Sequence, residues 1–337
     1  MINNDITVSI ICLAYNHEKY IRQTLEGFVS QQTSFNYEVI VHDDASNDNT
    51  ASIIREYQNK YPHIIKAIFQ TENQYRKKIG ITKAFIIPMI KGKYIAWCEG
   101  DDYWYDASKL QLQFEALEKN PNCNMCLHRV VEITESGQNT GVKYPNNNIK
   151  SGVIHSRNFL ELCNGYSFHT SSYFVRANLH IDYTSNEPEF RKKCDVGDEP
   201  MLWYYGQLGD VFFIDKEMSY YRRGVPTSWS TQQAGQISKQ IQHYEKMVSA
   251  LKSFDIYTNR KYSDLCNNRI SLMLSRMLVL SNNSKLFFKK NNIKYYKCLS
   301  FTRKVFIFLC AIFPKTAKKI YIKRLQILRR KNYDRSK

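Results

Sequence analysis

The chain has 337 residues, 43% of them hydrophobic, enough to bury a large core, and its length predicts one large domain or one domain with an appendage. No apolar run approaches the roughly 20 residues that a spanning helix needs; the longest in the C-terminal region, Val305 to Phe313, stops at Pro314. The net charge of +17 suggests nucleic acid, but residues 285–337 carry 17 Lys and Arg against one acid, Asp334, while the residues before them hold 31 basic against 30 acidic. With no recognised nucleic-acid motif beside the charge, nucleic acid is not an expected partner.

In chain order, a basic leader is missing and Asp5 precedes the apolar stretch Val8 to Ala14, which reads as a core strand rather than a signal peptide and predicts a cytoplasmic protein. Ile21, Leu25, Phe28 and Val29 then share a helical face. Tyr37 to His42 is the second predicted strand, and "DDASNDNT" supplies caps for a helix through "ASIIREYQNKY". Ile64 to Phe69 is a third strand, Ile81 to Ile90 a helix up to Pro88, and Lys93 to Cys98 a fourth strand. This alternation predicts an α/β fold with a mainly parallel sheet and helices on both faces.

Ligands of such sheets sit beyond the carboxyl ends of the strands, where both acidic clusters fall: Asp43 with Asp44, and Glu99, Asp101 and Asp102. Crowded carboxylates repel unless a cation or a donor-rich ligand lies among them, and hard oxygen ligands favour Mg²⁺ or Mn²⁺. For Asp106, a helix cap is the better reading. Nine cysteines in apolar contexts read as reduced core thiols. Cys123, Cys126 and His128 lack a second pair at zinc spacing. His17 starts a helix near the same edge, where Tyr15 and Asn16 are placed to frame a nucleobase; helix capping is the competing role. No Walker loop and no G-x-G-x-x-G follows the first strand, which disfavours kinases and dinucleotide oxidoreductases.

"VSIICLAYNHEKYIRQTLEGFVSQQ", "YEVIVHDDASNDNT" and "GKYIAWCEGDDYWYDASKLQLQ" together resemble the nucleotide-binding half of the family 2 glycosyltransferases, with their GT-A fold, over residues 6 to about 115. The resemblance implies a nucleotide-sugar donor, usually a UDP sugar, an Asp of the 43–44 pair on the base, and a D-x-D-like motif on a divalent cation. Glu99 replaces the motif's first Asp, so Asp101 is the expected metal ligand, with Glu99 and Asp102 on the donor side. "FHTSSYFVR" resembles the family's acceptor-side strand, and "CDVGDEPMLWYYGQLGDVFFIDKEMSYYRRG" its acidic helix start and closing strands. By that likeness Asp198 is the general base and Glu199 the fallback; a helix-capping Asp198 is equally compatible with Pro200 in the first turn. The family often has Tyr-Arg-x-His after the closing strand, where this chain has Gly224; Arg222 and Arg223 remain as partners for the leaving diphosphate, with surface salt bridges as their competing role.

The expected reaction is an inverting displacement, with Asp198 taking the proton of an attacking acceptor hydroxyl. The resemblance suggests a glycan or polyprenyl-diphosphate-linked saccharide as acceptor, in bacterial capsule or other surface-polysaccharide synthesis. A sugar-phosphate nucleotidyltransferase lacks its Gly-rich loop here, and a non-catalytic membrane- or polyanion-binding protein would leave the acidic clusters unexplained. Residues 1–230 are expected to form the GT-A domain (nucleotide half 1–115, acceptor half 116–230) and 231–337 a helical region. Its tail, 285–337, mixes basic with aromatic and aliphatic residues, as interfacial helices on an anionic membrane surface do; the alternative is a helical bundle edge with a solvated basic face. The Asn-rich "YPNNNIKSG" is expected to be an acceptor-side loop.

Overall fold

The computed structural model describes residues 5–163, 168–233 and 236–323. The chain forms two compact units, one from residues 1–186 and 201–228, the other from residues 187–200 and 229–337. The expected division near residue 230 therefore needs one amendment, because the segment 187–200 belongs with the helical unit.

The first unit begins with β1 (Ile6–Ala14), α1 (Ile21–Val29), β2 (Asn36–Asp43), α2 (Thr50–Lys60), β3 (Ile65–Phe69) and β4 (Tyr94–Trp97). All four strands are parallel, in the order β3-β2-β1-β4. Val8, Ile10 and Cys12 of β1 and Val39 and Val41 of β2 are fully buried, as near-continuous apolar strands covered on both faces should be. Ile21, Leu25 and Phe28 of α1 and Ile54 and Tyr57 of α2 join that core. The predicted helix around Pro88 is instead a π turn, Thr82–Ile86, followed by a 3-10 turn, Ile87–Met89. Proline lacks the N–H and crowds the carbonyl four residues back, so a regular α-helix cannot run through it.

The remainder adds β5 (Tyr103–Trp104), α3 (Lys109–Lys119), β6 (Cys123–Thr134), β7 (Asn139–Tyr144), β8 (Gly152–Ile154), α4 (Ser156–Leu162), β9 (Phe174–Arg176) and α5 (Ala177–Asn186). Antiparallel β9 links β4 to β6, and β6 pairs in parallel with the long β10 (Asp210–Arg223). Shifts in the β6–β10 register between Ile214 and Ser219 let one strand also hold β8 and β5 antiparallel. The expected GT-A arrangement, a mainly parallel α/β sheet with a helical region after it, is present.

The second unit contains α6 (Glu189–Lys192), the first turn of α7 (Asp198–Leu208), α8 (Trp229–Gln233), α9 (Ile237–Tyr257), α10 (Ser263–Leu280), α11 (Ile293–Lys297) and α12 (Phe301–Ile312). Its core is made by Phe190, Met247, Leu251 and Phe254 with Ile270, Leu274 and Leu278, all buried. Phe190 meets Phe254 edge-on at 5.2 Å between ring centres. All nine cysteines are free and eight are buried. Among the described residues no helix is long and apolar enough to cross a membrane. The last part of the predicted tail, 324–337, lies outside the described residues.

Candidate active site

The site is built on loops tied to the end of β1. The Asp44 N–H donates to the Ala14 carbonyl and the Gly100 N–H to the Leu13 carbonyl, at 3.0 and 2.9 Å. The acidic loops after β2 and β4 are thereby fastened on either side of one strand. Asn16 and Ala45 turn the chain with left-handed φ of 55° and 60°. An alanine held there costs about 1 kcal/mol or more, strain of a kind that gathers at functional loops. Gly100 is required by close approach: a Cβ would lie 2.8 Å from His17 Nδ1 and 3.1 Å from both Ala14 and Ile21. The His17 Nδ1 is itself buried without a hydrogen-bond partner.

The two aspartates after β2 do different work. Asp44 accepts the N–H groups of Gln74 and Tyr75, one on each oxygen, and so pins the loop after β3. Asp43 accepts from the hydroxyl and N–H of Ser46, and burial pushes its carboxyl above the ordinary range. Ser46 Oγ in turn receives the Asn16 N–H, and Asn16 Oδ1 receives the Asn47 N–H. Asn49 is the N-cap of α2 but makes no side-chain cap bond; Asp48, one residue earlier, takes the Thr50 N–H at 2.9 Å. Tyr15 stands at this edge with Arg76, whose guanidinium is 5.9 Å from the tyrosine ring centre. In the sequence Arg76 has no signal beyond opening the basic run Arg76-Lys77-Lys78 in the loop that follows the third strand.

The second acidic cluster is held more tightly. Asp102 is 2% exposed and accepts the Arg222 N–H at 2.7 Å. Burial, then the neighbouring charges of Asp101 and Glu99, raises its pKa well above the usual carboxylate value. Thr24 Oγ1 donates to the carbonyl of Asp102, with that of Gly100 also in reach. The Asp101 carboxylate has no hydrogen-bond or ion partner among the described residues, although the residue is only 9% exposed. An unpartnered carboxylate beside two more acids is a fit for a divalent cation. Among the described residues no three His, Cys, Asp or Glu side chains converge as a metal-binding set. The chain therefore has few ligands to offer, which suits Mg²⁺ or Mn²⁺ with water and substrate phosphates completing the shell.

The expectation for Arg222 needs correction. It is 5% exposed, and its guanidinium donates to the carbonyls of Asp101 and Glu135 and to Gln23 Oε1. These bonds hold the acidic loop together, so Arg222 is a positioning residue and not a free partner for diphosphate. Arg223 is exposed and pairs with Glu132 at 3.0 Å. Gly224 has φ of +91° and open space where a Cβ would be, so the position of the missing histidine is a backbone turn. One imidazole does reach the cluster. His169 places Nε2 3.7 Å from Asp102 Oδ2 and stacks on Tyr221 at 4.2 Å, with burial pushing its pKa down to about 3. Of "FHTSSYFVR" only Phe174–Arg176 is strand; His169 caps the 3-10 turn Thr170–Ser172 before it and has no spacing signal of its own in the sequence. Asp106 is a loop and helix-start residue, accepting from Ser108 and pairing with Lys216 at 2.6 Å.

Asp198 and Glu199 belong to the second unit. Burial raises the Asp198 carboxyl above its ordinary value, opposed by a backbone hydrogen bond and by His243 and Arg191. Its Oδ1 accepts the Glu199 N–H at 2.9 Å, at the first turn of α7. Glu199 is committed to a buried ion pair with Arg269. The Asn-rich loop lines a polar cavity of about 430 Å³ in the first unit, with Asn146, Asn147 and Asn148 facing Arg129, Lys143, Asp215 and Glu217.

The model for glycosyl transferase family 2 matches residues 9–181, more than half of the chain. The chain belongs to that family. An uncharacterized protein of Mycobacterium tuberculosis is 32% identical over 231 residues, 66% of this chain and 60% of that protein. The Escherichia coli UDP-Glc:alpha-D-GlcNAc-diphosphoundecaprenol beta-1,3-glucosyltransferase WfaP is 36% identical over 111 residues, 33% of this chain and 41% of WfaP. The family 2 chain described here thus spans less than two thirds of the length of these curated relatives. S. aureus TarS 1-349, crystallised with UDP, has the same fold: TM-score 0.59 at 16% identity, covering 94% of this chain and 92% of TarS.

Proposed function

We propose that this family 2 glycosyltransferase transfers a sugar from a UDP-sugar to a hydroxyl of a glycan or polyprenyl-diphosphate-linked saccharide, with inversion, in bacterial surface-polysaccharide synthesis. The observation that carries the reading is the Asp101 carboxylate, nearly buried and unpartnered among crowded acids at the carboxyl ends of the parallel strands. The UDP complex of TarS and the UDP-glucose and diphosphoundecaprenol in the name of WfaP support the choice of donor and acceptor. Asp44 is held by two backbone donors of the loop after β3 and Asp43 by Ser46, which also receives the Asn16 N–H; Asp43, with Tyr15 and Asn16 beside it, is therefore assigned to the uracil and ribose. Arg76, whose guanidinium has only the Tyr15 hydroxyl at 3.4 Å as hydrogen-bond acceptor among the described residues, is the better candidate than Arg222 for the diphosphate.

Asp101 would hold the divalent cation, with Asp102 and Glu99 setting the local field. A bound cation would draw charge from the diphosphate and make it a better leaving group. Asp198, its basicity raised by burial, accepts the proton as the acceptor hydroxyl attacks the anomeric carbon from the face opposite the leaving group. One displacement of this kind inverts the configuration. We place the enzyme in the cytoplasm at the inner membrane face, where a lipid-linked acceptor would be met.

Calorimetric titration of UDP into the intact protein, with and without Mn²⁺, tests the donor site. Mn²⁺-dependent binding that disappears in Asp101→Ala supports it. UDP binding that is indifferent to Mn²⁺ and to that substitution removes the metal role, and failure of UDP where GDP or dTDP binds replaces the donor. NMR of the product decides the stereochemistry, since retention at the anomeric carbon would exclude a single displacement.

A further inference from the structure

Helix α12 is apolar on two faces. Ile307, Cys310 and Ala311 are buried at 1, 1 and 8% exposure, and they fix the helix to its own unit. On the other side Phe301, Val305, Phe308 and Ile312 follow one another at spacings of four, three and four. That spacing confines them to an arc of about 60° on a helix with 3.6 residues per turn. Their exposures are 79, 43, 53 and 50%, and Leu309 and Phe313 beside them are at 47 and 60%. Phe288, itself 40% exposed, extends the patch by an edge-on contact with Phe308 at 6.4 Å. Isolated exposed apolar side chains need no explanation, but a contiguous stripe of aromatic and branched residues marks an interaction surface.

The charge around the stripe selects its partner. Residues 285–323 contain eleven Lys and Arg and no acid. Lys304 flanks the stripe, and Lys315 and Lys319 follow it along the next helical stretch, 314–323. A second copy of this chain would bring an equally basic surface against the first and be repelled. An anionic bilayer offers the reverse: acyl chains for Phe and Ile, and phosphate headgroups for lysines whose aliphatic stems reach along the apolar face. We propose that this face of α12 lies in the headgroup region of an anionic membrane, parallel to its plane. The surface stands apart from the transfer reaction and does not rest on it.

Co-sedimentation of the full chain with lipid vesicles tests it, using phosphatidylcholine alone and phosphatidylcholine mixed with phosphatidylglycerol. The expected result is binding to the anionic vesicles that weakens as salt is raised, and little binding to the neutral ones. Phe308→Asp with Ile312→Asp should lower the vesicle affinity at least roughly tenfold, because two apolar anchors are removed and two acids added. Lys315→Glu with Lys319→Glu should remove the preference for anionic lipid while leaving the apolar stripe in place. Circular dichroism and Tm of each variant establish that it folds, as expected for exposed positions. Failure of the folded wild-type chain to sediment with anionic vesicles overturns the proposal. So does unchanged binding by Phe308→Asp/Ile312→Asp, or a dimer in analytical ultracentrifugation that this pair of substitutions dissociates. UDP titration of the same variants is a separate readout, so loss of the membrane surface and loss of the donor site are told apart.

Discussion

The acidic loops after β2 and β4 and the outer face of α12 solve opposite problems. Around Asp102 nearly every polar group has one assigned partner: Thr24 on its carbonyl, the Arg222 N–H on its carboxylate, the Arg222 guanidinium on the carbonyl of Asp101. Such a network has one arrangement, and removing a member strands the others in a buried place. Along α12 several side chains of similar character repeat at helical spacing, and no single one fixes a geometry. The first region is suited to holding a small ligand by position; the second is suited to adhesion, where area and charge add. Substitutions in the two should therefore behave differently, all or none in the loops and graded along the helix.

The largest effect is expected at Asp198. Asp198→Asn keeps the size and the helix start but cannot accept a proton, and transfer should fall by 10² to 10⁴-fold, roughly the contribution of a general base. UDP binding measured by calorimetry should be unchanged, which separates the base from the donor site. In the wild type the acid limb of kcat should lie above the usual aspartate range, because burial raises this carboxyl. Activity is lost as pH falls through the raised value, since the protonated acid cannot act as base. A variant as active as the wild type would assign the proton to another group.

Arg222 comes next, and it breaks the comparison from the side of stability. Arg222→Met leaves the buried carbonyl of Asp101, the part-buried carbonyl of Glu135 and Gln23 Oε1 without their donor, at a cost of about 2–4 kcal/mol in thermal unfolding. Arg222→Lys should recover only part of that, because one ammonium cannot reach three acceptors set for a guanidinium. If Arg222→Met kept its Tm and lost only donor binding, Arg222 would be the diphosphate partner after all.

Arg222 also marks where sequence reading stops. The strands β1 to β4 were legible because Val8 to Ala14, Tyr37 to His42 and their successors are short apolar runs broken by turn residues, and the acidic motifs fall where those runs end. What was not legible is pairing between residues far apart in the chain. Nothing near Arg222 tells that its guanidinium reaches back to Gln23 and Asp101, or that Glu199 is taken by Arg269. His169 was missed for the same reason, since its neighbour Asp102 is 67 residues away by number and close only in the fold. Local pattern reveals which elements form, whereas the use of a charged side chain depends on what the fold brings to it.

Lys109 gives a smaller effect that depends on pH. It is fully buried, its Nζ 3.7 Å over the Trp104 ring and 2.7 Å from Gln113 Oε1, and burial lowers its pKa to about 7. The unfolded chain keeps this lysine protonated up to about 10.4. Between those values the unfolded state binds more protons, so stability rises with pH there, and the cost of burying the charge is present in full below about 7. Lys109→Met should remove this rise, with its Tm gaining most on the wild type at neutral pH and below. A wild-type Tm that is flat between pH 7 and 9 would mean that the ammonium is stabilised by the indole and Gln113 as well as by water.

The smallest expected effect is at Phe301, and it defines the helix side of the comparison. At 79% exposure its ring adds little to folding, so Phe301→Ser should change stability by no more than about 0.5 kcal/mol. Ile307 lies on the same helix with 1% exposure, and Ile307→Ala should cost about 2–5 kcal/mol through lost packing and the cavity left behind. Equal losses in thermal unfolding at the two positions would mean that the outer face is also part of the folded core. A near-silent Phe301→Ser beside a destabilising Ile307→Ala separates the face that builds the unit from the face that is left for something outside it.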